Sequence, residues 1–333
     1  MKLGPLDLEN RYILAPMLNV TTAPYRRFCR KLQKIGLVYV PMLYTKKIEK
    51  NPKLLEKELF KIEEEKPIGV QLIGSDPNAL RITIDHLDSY KFDVLDLNAG
   101  CPSKRAIKAQ EGGYLMKDLK KLSVLIKTAV KYSSRPVSLK IRTGFEKPIK
   151  IGKLTKIINN SGIDLLIIHA RNVLSKFDGG TLDLDTVKRL KERLVIPIVG
   201  NGNIFNPITA KHFIDYTDVD ALMIGRESMG NPEIFNQLHE YFTKGKEAPL
   251  IINFDTIKNY IQVYEECIDE YLNGVLKQVD NEEIKFIELK RNAIWLTKNI
   301  RNSAMIRYHL SHVKNLKHLK NTIHTFFPSG AEN

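Results

Sequence analysis

The sequence predicts an α/β fold, a (β/α)8 TIM barrel, followed by an all-helical C-terminal domain. Between about residues 11 and 240, short apolar runs alternate with longer amphipathic stretches, the pattern of βα units around a parallel sheet. Eight such runs occur, at a mean spacing of about 30 residues, as a barrel of roughly 250 residues requires. After Lys244-Gly245-Lys246 the rhythm changes, and from Phe254 no Gly/Pro-punctuated strand is evident until the tail at Pro328. Residues 1–245 therefore read as the barrel and residues 250–333 as the helical domain.

In chain order the runs are Tyr12 to Ala15, Leu37 to Leu43, Ile68 to Ile73, Val94 to Leu97, Val137 to Ile141, Leu165 to His169, Pro197 to Gly200 and Ala221 to Ile224. Between them, Leu119 to Tyr132 sets Leu122, Leu125, Ile126 and Ala129 on one helix face, which suits packing against a barrel. Pro24 to Leu32 does the same with Tyr25, Phe28, Cys29 and Leu32, so Cys29 reads as a small buried hydrophobe without a role. The three cysteines, Cys29, Cys101 and Cys267, are far apart and show no CxxC spacing, which argues against a disulfide framework and a cysteine-only metal site. The N-terminus lacks a signal-like apolar stretch, and no run approaches the roughly 20 apolar residues of a membrane-spanning helix. A cytoplasmic protein without a membrane partner is expected.

The formal net charge of +14 favours a polyanionic partner, because neutralised phosphates release their condensed counterions. The charge is segregated: residues 285–320 hold nine Lys or Arg and one acid, Glu288, whereas Asp255 to Glu283 holds most of the domain's acids. Trp295, Tyr308, His309, His312, His318 and, just beyond, His324 accompany the cations, a mixture suited to gripping folded RNA. Lys290, Arg291, Lys298 and Arg301 are the cations expected to do so. Trp295, Leu296, Ile300 and Tyr308 also read as the core of a helical bundle, so one set of residues serves two faces.

In such barrels, function collects at the C-terminal ends of the strands. The polar or unusual residues there are Met17, Gln71, Asn98, Cys101, Lys140, Arg142, His169, Asn201, Gly202, Gly225 and Arg226. The loops at 200–203 and 225–226 fall where barrels bind phosphate through backbone amides, which calls for a phosphorylated cofactor or substrate. Lys140 and Arg142 share a strand face and can both point into the site. Burying an unpaired ammonium costs several kcal/mol, so Lys140 must face an anion, an electron-rich ring or a carbonyl; a Schiff base there is the alternative use. His169, at its strand end, reads as ligand-facing. Cys101 lies in AsnAlaGlyCysPro, where Gly100 permits an unusual turn and Pro102 stiffens the exit. An ordinary thiol titrates near ~8.5, so at neutral pH it can act as an acid.

These residues resemble the tRNA-dihydrouridine synthase family from about residue 11 through residue 240, with a looser match in the helical tail. LeuAlaProMet (14–17) with AlaProTyrArgArg (23–27), ValGlnLeuIleGlySerAspPro (70–77), AspLeuAsnAlaGlyCysProSerLys (96–104), LysIleArgThrGly (140–144), ValGlyAsnGlyAsnIle (199–204) and IleGlyArg with GlyAsnPro (224–232) occur in family order. The resemblance implies FMN as cofactor, with Pro16, Met17 and Leu18 beneath the ring, Gln71 and Lys140 at its polar edge, and His169 completing the wall. Asn201, Gly202, Asn203, Gly225 and Arg226 would hold the phosphate. It further implies NADPH or NADH as electron donor, hydride transfer from the flavin to C6 of a flipped-out uracil, protonation of C5 by Cys101, and no metal. Asn98, Lys140 and Arg142 are then candidates to stabilise the charge that hydride addition leaves on the base. The basic domain would grip the tRNA. A dihydroorotate or dihydropyrimidine dehydrogenase would explain the same site acting on a free pyrimidine, but not the basic tail. The chain departs from the family pattern at Leu18-Asn19, Thr22, Pro41, Tyr114, Ala170, Asn172 and Asn203.

Overall fold

Eight parallel strands make the barrel: β1 (Tyr12–Leu14), β2 (Val38–Tyr44), β3 (Ile68–Ile73), β4 (Val94–Ala99), β5 (Val137–Arg142), β6 (Leu165–His169), β7 (Ile198–Asn201) and β8 (Ala221–Ile224). The computed structural model describes residues 2–60, 62–176, 181–246, 253–275 and 281–327, and the tail from Pro328 lies outside them. From β2 onward each strand pairs with the next, β8 pairs with β1, and a parallel bridge from Ile13 to Leu37 closes the ring. The closed ring leaves no unpaired sheet edge.

Several connecting helices start where the chain supplies a cap. Asp76, Asp118 and Asp183 accept backbone N–H bonds at the starts of Pro77–Leu87, Leu119–Tyr132 and Leu184–Lys191. Asn206 and Thr209 form a reciprocal capping box at Pro207–Thr217. Leu119–Tyr132 buries Leu122, Leu125, Ile126 and Ala129, the face its spacing predicts. Strand β2 carries Pro41, which has no N–H for the ladder, and its pairing with β3 shifts register between Val40 and Leu43.

A hairpin of Lys2–Leu3 and Leu6–Asp7, turning at Gly4, precedes the barrel. It buries Leu3, Leu6 and Leu8 in the same core cluster as Leu37, Val94, Leu165 and Ala221, which lie at or next to the strand starts. The hairpin therefore plugs the N-terminal end of the barrel. Its two-residue strands are too short to show a period in the sequence.

The chain divides into two compact units, residues 1–22 with 34–225 and residues 23–33 with 226–333. The division falls at Gly225/Arg226, not near residue 245 as the sequence suggests, and Ala23–Leu32 belongs with the helical unit. The reason is aromatic packing: Phe28 sits edge-on to Tyr260 and Tyr264 of the long helix Phe254–Val275, with ring centroids 6.3 and 5.3 Å away. Tyr25 packs edge-on to Trp295 of Asn281–Leu296 at 5.8 Å. The Gln33 Oε1 accepts from the Phe235 N–H at 2.9 Å, holding Ile234–Lys244 in the same unit. Cys29 and Cys267 are buried there, and burial pushes their thiols up to about 12 and about 11, so both act as packing residues.

Candidate active site

Strand register brings the polar residues to one end of the barrel. Gln71 of β3 lies opposite Asp96 of β4, Asn98 of β4 opposite Lys140 of β5, Arg142 of β5 opposite His169 of β6, and His169 opposite Asn201 of β7. Side chains repeat every two residues along a strand, so these positions fall on one face, in successive layers.

Asp96 is fully buried. It accepts hydrogen bonds from Ser138 Oγ at 2.5 Å and Gln71 Nε2 at 2.7 Å, and Tyr39 Oη lies 3.5 Å from Ser138 Oγ. Burial pushes its carboxyl up to about 6, against the opposing pull of the Ser138 and Gln71 hydrogen bonds and the Lys140 charge. Gln71 Oε1 in turn accepts from Asn98 Nδ2 at 2.9 Å, and Asn98 Oδ1 accepts from the backbone N–H groups of Gly100 (3.1 Å) and Cys101 (2.9 Å).

Cys101 is half-buried, and its thiol donates to Ser103 Oγ at 3.4 Å. Ser103 also caps Lys104–Lys108 by accepting from the Ala106 N–H. Two glycines press on the loop: a Cβ at Gly112, whose φ is +56°, would lie 2.9 Å from the Cys101 Cβ, and one at Gly113 would lie 2.8 Å from the Cys101 carbonyl oxygen. Arg142, expected to face substrate, instead donates to three backbone carbonyls, those of Gly100 (2.9 Å), Asn172 (2.9 Å) and Lys176 (2.6 Å). Its guanidinium fork suits several carbonyls at once, and there it braces the turn that carries Cys101.

On the other side of the ring, Lys140 Nζ donates to Asn201 Oδ1 at 3.2 Å, and Asn201 Nδ2 donates to the Met223 carbonyl at 2.7 Å. Burial, and after it the Arg142 charge, lower the Lys140 ammonium to about 8, with Asp96 opposing both. His169 is buried, and a Cβ on Gly202 would meet its ring carbon Cδ2 at 3.2 Å. Gly202 has φ +130° and Asn203 φ +49°, a backbone path that glycine adopts without strain and asparagine tolerates better than most. Arg171 donates to Asn203 Oδ1 at 2.9 Å. Gly200 serves packing, since a Cβ there would lie 2.3 Å from the Phe213 ring. Met17 is fixed by Thr21, whose Oγ1 accepts from the Met17 N–H at 2.9 Å, and its sulfur lies 3.5 Å from the Cβ position of Gly225. Leu18, next along the loop, is exposed.

A family model described as dihydrouridine synthase matches residues 13–330. The chain belongs to the dihydrouridine synthase family. It is 33% identical over 285 residues to tRNA-dihydrouridine synthase B of Pasteurella multocida, covering 84% of this chain and 79% of that protein. It is 32% identical over 250 residues to tRNA-dihydrouridine synthase B of Pseudomonas aeruginosa, covering 75% of each. A probable tRNA-dihydrouridine synthase of Rickettsia conorii aligns over 100% of this chain and 98% of its own length at 27% identity. Among solved structures, a morphinone reductase mutant matches with a TM-score of 0.53 at 12% identity, over 72% of this chain and 89% of that one. The structure of TcOYE with pHBA matches with a TM-score of 0.54 at 12% identity, over 81% and 97%. At that identity the likeness is one of fold, and it agrees with the barrel.

The residues expected to act in the helical unit fare unevenly. Arg226 stands at the start of the helix Glu227–Gly230 and counts with this unit rather than with the barrel. Lys290 Nζ is bonded to the carbonyls of Ser311 (2.8 Å) and Val313 (3.0 Å), at the end of helix Ser303–His312. Arg291 is half-buried, paired with Glu288 and set 5.4 Å from the Trp295 ring. Glu288 is shared with Tyr264, so this pair is part of the core. Both Lys290 and Arg291 are thus engaged within the helical unit itself. Lys298, Arg301, Arg307, Lys314 and Lys317 are exposed. Tyr308 is also exposed, at 61%, rather than in the core, and its ring packs at a tilt of 39° against His312, with centroids 4.3 Å apart.

Asp96, Ser138, Tyr39, Arg171 and the Gly112-Gly113 pair escape a reading of strand ends alone. Asp96 had a sequence signal, an acidic residue inside an otherwise apolar strand run, and an adjacent Gly-Gly commonly marks a close approach. Ser138 and Tyr39 had none.

Proposed function

We propose that this protein reduces uridines in tRNA to 5,6-dihydrouridine, using FMN re-reduced by NADPH or NADH, with Cys101 as the proton donor. One observation carries the reading: in a chain of the dihydrouridine synthase family, the Cys101 turn and the half-buried Lys140–Asn201 pair stand at the same end of the barrel. The donor set fits a flavin mononucleotide. Lys140 is a desolvated ammonium whose hydrogen bond goes to a neutral amide oxygen, an arrangement that favours an electron-rich ring edge or an anion. Gln71, Lys140 and His169 would hold the polar edge of the ring, Pro16, Met17 and Leu18 would offer it an apolar surface, and Asn201 would orient Lys140. Gly202 and Asn203, with their left-handed backbone, and Gly225 would hold the phosphate.

When bound, the flavin supplies hydride to C6 of the uracil. The residues of the chain supply the rest. Cys101 gives its thiol proton to C5 and is left as a thiolate, so charge balances. Asn98 and Lys140 would donate to a carbonyl on which negative charge develops. Arg142 keeps the Cys101 turn in place through Gly100. Lys298, Arg301, Arg307 and the Tyr308–His312 pair are exposed cationic and aromatic groups, a surface that suits folded RNA. A dehydrogenase of a free pyrimidine would leave that face without a use.

The test is to purify the protein, measure bound FMN, and incubate it with NADPH or NADH and tRNA from a strain lacking dihydrouridine. About one FMN per chain and new dihydrouridine in tRNA are expected. A protein that cannot be loaded with FMN, or that reduces only free pyrimidines, would overturn the reading.

A further inference from the structure

The strongest unassigned feature is the buried carboxylate of Asp96, which touches neither the Cys101 turn nor a surface. It is joined to that turn by two amides in series, Gln71 and Asn98. The polarity of such a chain is dictated by its ends. An ionised carboxylate only accepts, and a backbone N–H only donates. With two primary amides between, one orientation satisfies every bond: Gln71 presents its NH2 to Asp96 and its oxygen to Asn98, and Asn98 presents its NH2 to Gln71 and its oxygen to the N–H groups of Gly100 and Cys101. Inverting either amide sets two donors or two acceptors against each other in a buried place.

We propose that Asp96 is a positioning residue that fixes the orientation of the Gln71 and Asn98 amides and thereby holds the Cys101 turn in its reactive geometry. The proposal rests on Cys101 being the proton donor. Ser138 holds the other Asp96 oxygen, so the carboxylate cannot rotate away, and Tyr39 stands behind Ser138. Gly100 is gripped on its other side by Arg142 through the carbonyl, so the turn is fixed at both its N–H and C=O groups. Burial pushes Asp96 up only to about 6, which leaves it an acceptor at neutral pH. Besides accepting from Gln71, Asp96 also feels the Lys140 charge.

A relay with a fixed polarity can be reversed, which a merely space-filling set of side chains cannot. Asn98→Asp places a second carboxylate where Asn98 offered its NH2, which sets it against Gln71 Oε1. Adding Asp96→Asn restores a full set of partners with the chain reversed: the new amide at 96 donates to Gln71, Gln71 donates to the carboxylate at 98, and that carboxylate accepts from Gly100 and Cys101. The net charge of the pair is unchanged from wild type. The experiment uses the FMN-loaded holoenzyme, with two readouts: hydrogen exchange of the Cys101 amide, and single-turnover oxidation of the reduced enzyme by tRNA. The single variant should exchange at least tenfold faster and oxidise at least tenfold more slowly than wild type. The double variant should recover most of the exchange protection and at least part of the rate. A double variant no better than the single one, or one that does not fold, overturns the proposal, as does a single variant indistinguishable from wild type. If wild type itself is not oxidised by tRNA, the functional reading fails, and the exchange data still decide the relay.

Discussion

At the barrel's strand ends, Gln71, Asp96, Asn98, Lys140 and Asn201 are bonded or set opposite one another, so a residue's place in the strand decides its neighbour. In the helical unit the same kinds of side chain divide by tertiary accident: Lys290 and Arg291 are consumed by Ser311, Val313 and Glu288, while Lys298, Arg301 and Arg307 remain exposed. The contrast teaches that the polar residues at the barrel's strand ends act as a set, whereas the exposed cations of the helical unit act singly. Removing one member of the set should cost function steeply, whereas removing one surface cation should cost little.

The largest effect belongs to Cys101→Ala, where loss of a positioned acid should slow uridine reduction by about 10² to 10⁴-fold, or roughly 3 to 5 kcal/mol in barrier height. Flavin reduction by nicotinamide should stay near wild type, because hydride delivery to the flavin needs no protein acid. Cys101→Ser should behave more like alanine than like wild type. Steady-state turnover with tRNA, set beside nicotinamide oxidation without it, reads both.

Next comes Lys140→Met, which removes a charged donor and should weaken FMN binding by about 10 to 100-fold. The wild-type affinity should also depend on pH. The flavin-free protein holds the Lys140 proton below about 8 and loses it above; an electron-rich or anionic ligand binds the ammonium form. Affinity should therefore be flat below that pH and fall as pH rises through it, by up to tenfold per unit. Equilibrium dialysis across pH ~6.5 to ~9.5 checks the sign, and the dependence should vanish in Lys140→Met.

The register of the barrel explains how much could be read in advance. Period-two strands of five or six residues place Gln71, Asn98, Lys140 and His169 at one end without further information, and each stands there. Arg142 has the correct strand face, yet its long side chain reaches Gly100, Asn172 and Lys176, partners that only the folded loops provide. Ser138 gives no hint of holding Asp96, because a buried serine looks like any small core residue. Lys290 and Tyr308 show the limit on helices: which face turns inward depends on neighbours from distant parts of the chain, so the lysine ends on carbonyls and the tyrosine at the surface.

That distinction sharpens further at the surface cations. Neutralising Lys298, Arg301 and Arg307 together to Gln should weaken tRNA binding and flatten its salt dependence, by roughly 0.7 to 0.9 in log-log slope per lost phosphate contact. The smallest effect is that of Lys290→Gln, which should leave tRNA affinity and salt slope unchanged while costing about 1 kcal/mol of stability through the lost carbonyl bonds. Filter binding across a salt series and thermal melting separate the two outcomes. A salt slope that falls in Lys290→Gln as in the triple variant would mean that this lysine leaves its carbonyls for the RNA.

The division of labour itself is tested most directly by mixing pre-reduced, FMN-loaded enzyme with increasing tRNA and following flavin reoxidation, for Cys101→Ala and for the triple Lys298, Arg301 and Arg307 variant. The triple variant should need more tRNA but reach the wild-type rate at saturation, whereas Cys101→Ala should stay slow at every tRNA concentration. A Cys101→Ala enzyme that reaches the wild-type rate, or a triple variant that remains slow at saturating tRNA, would contradict that division.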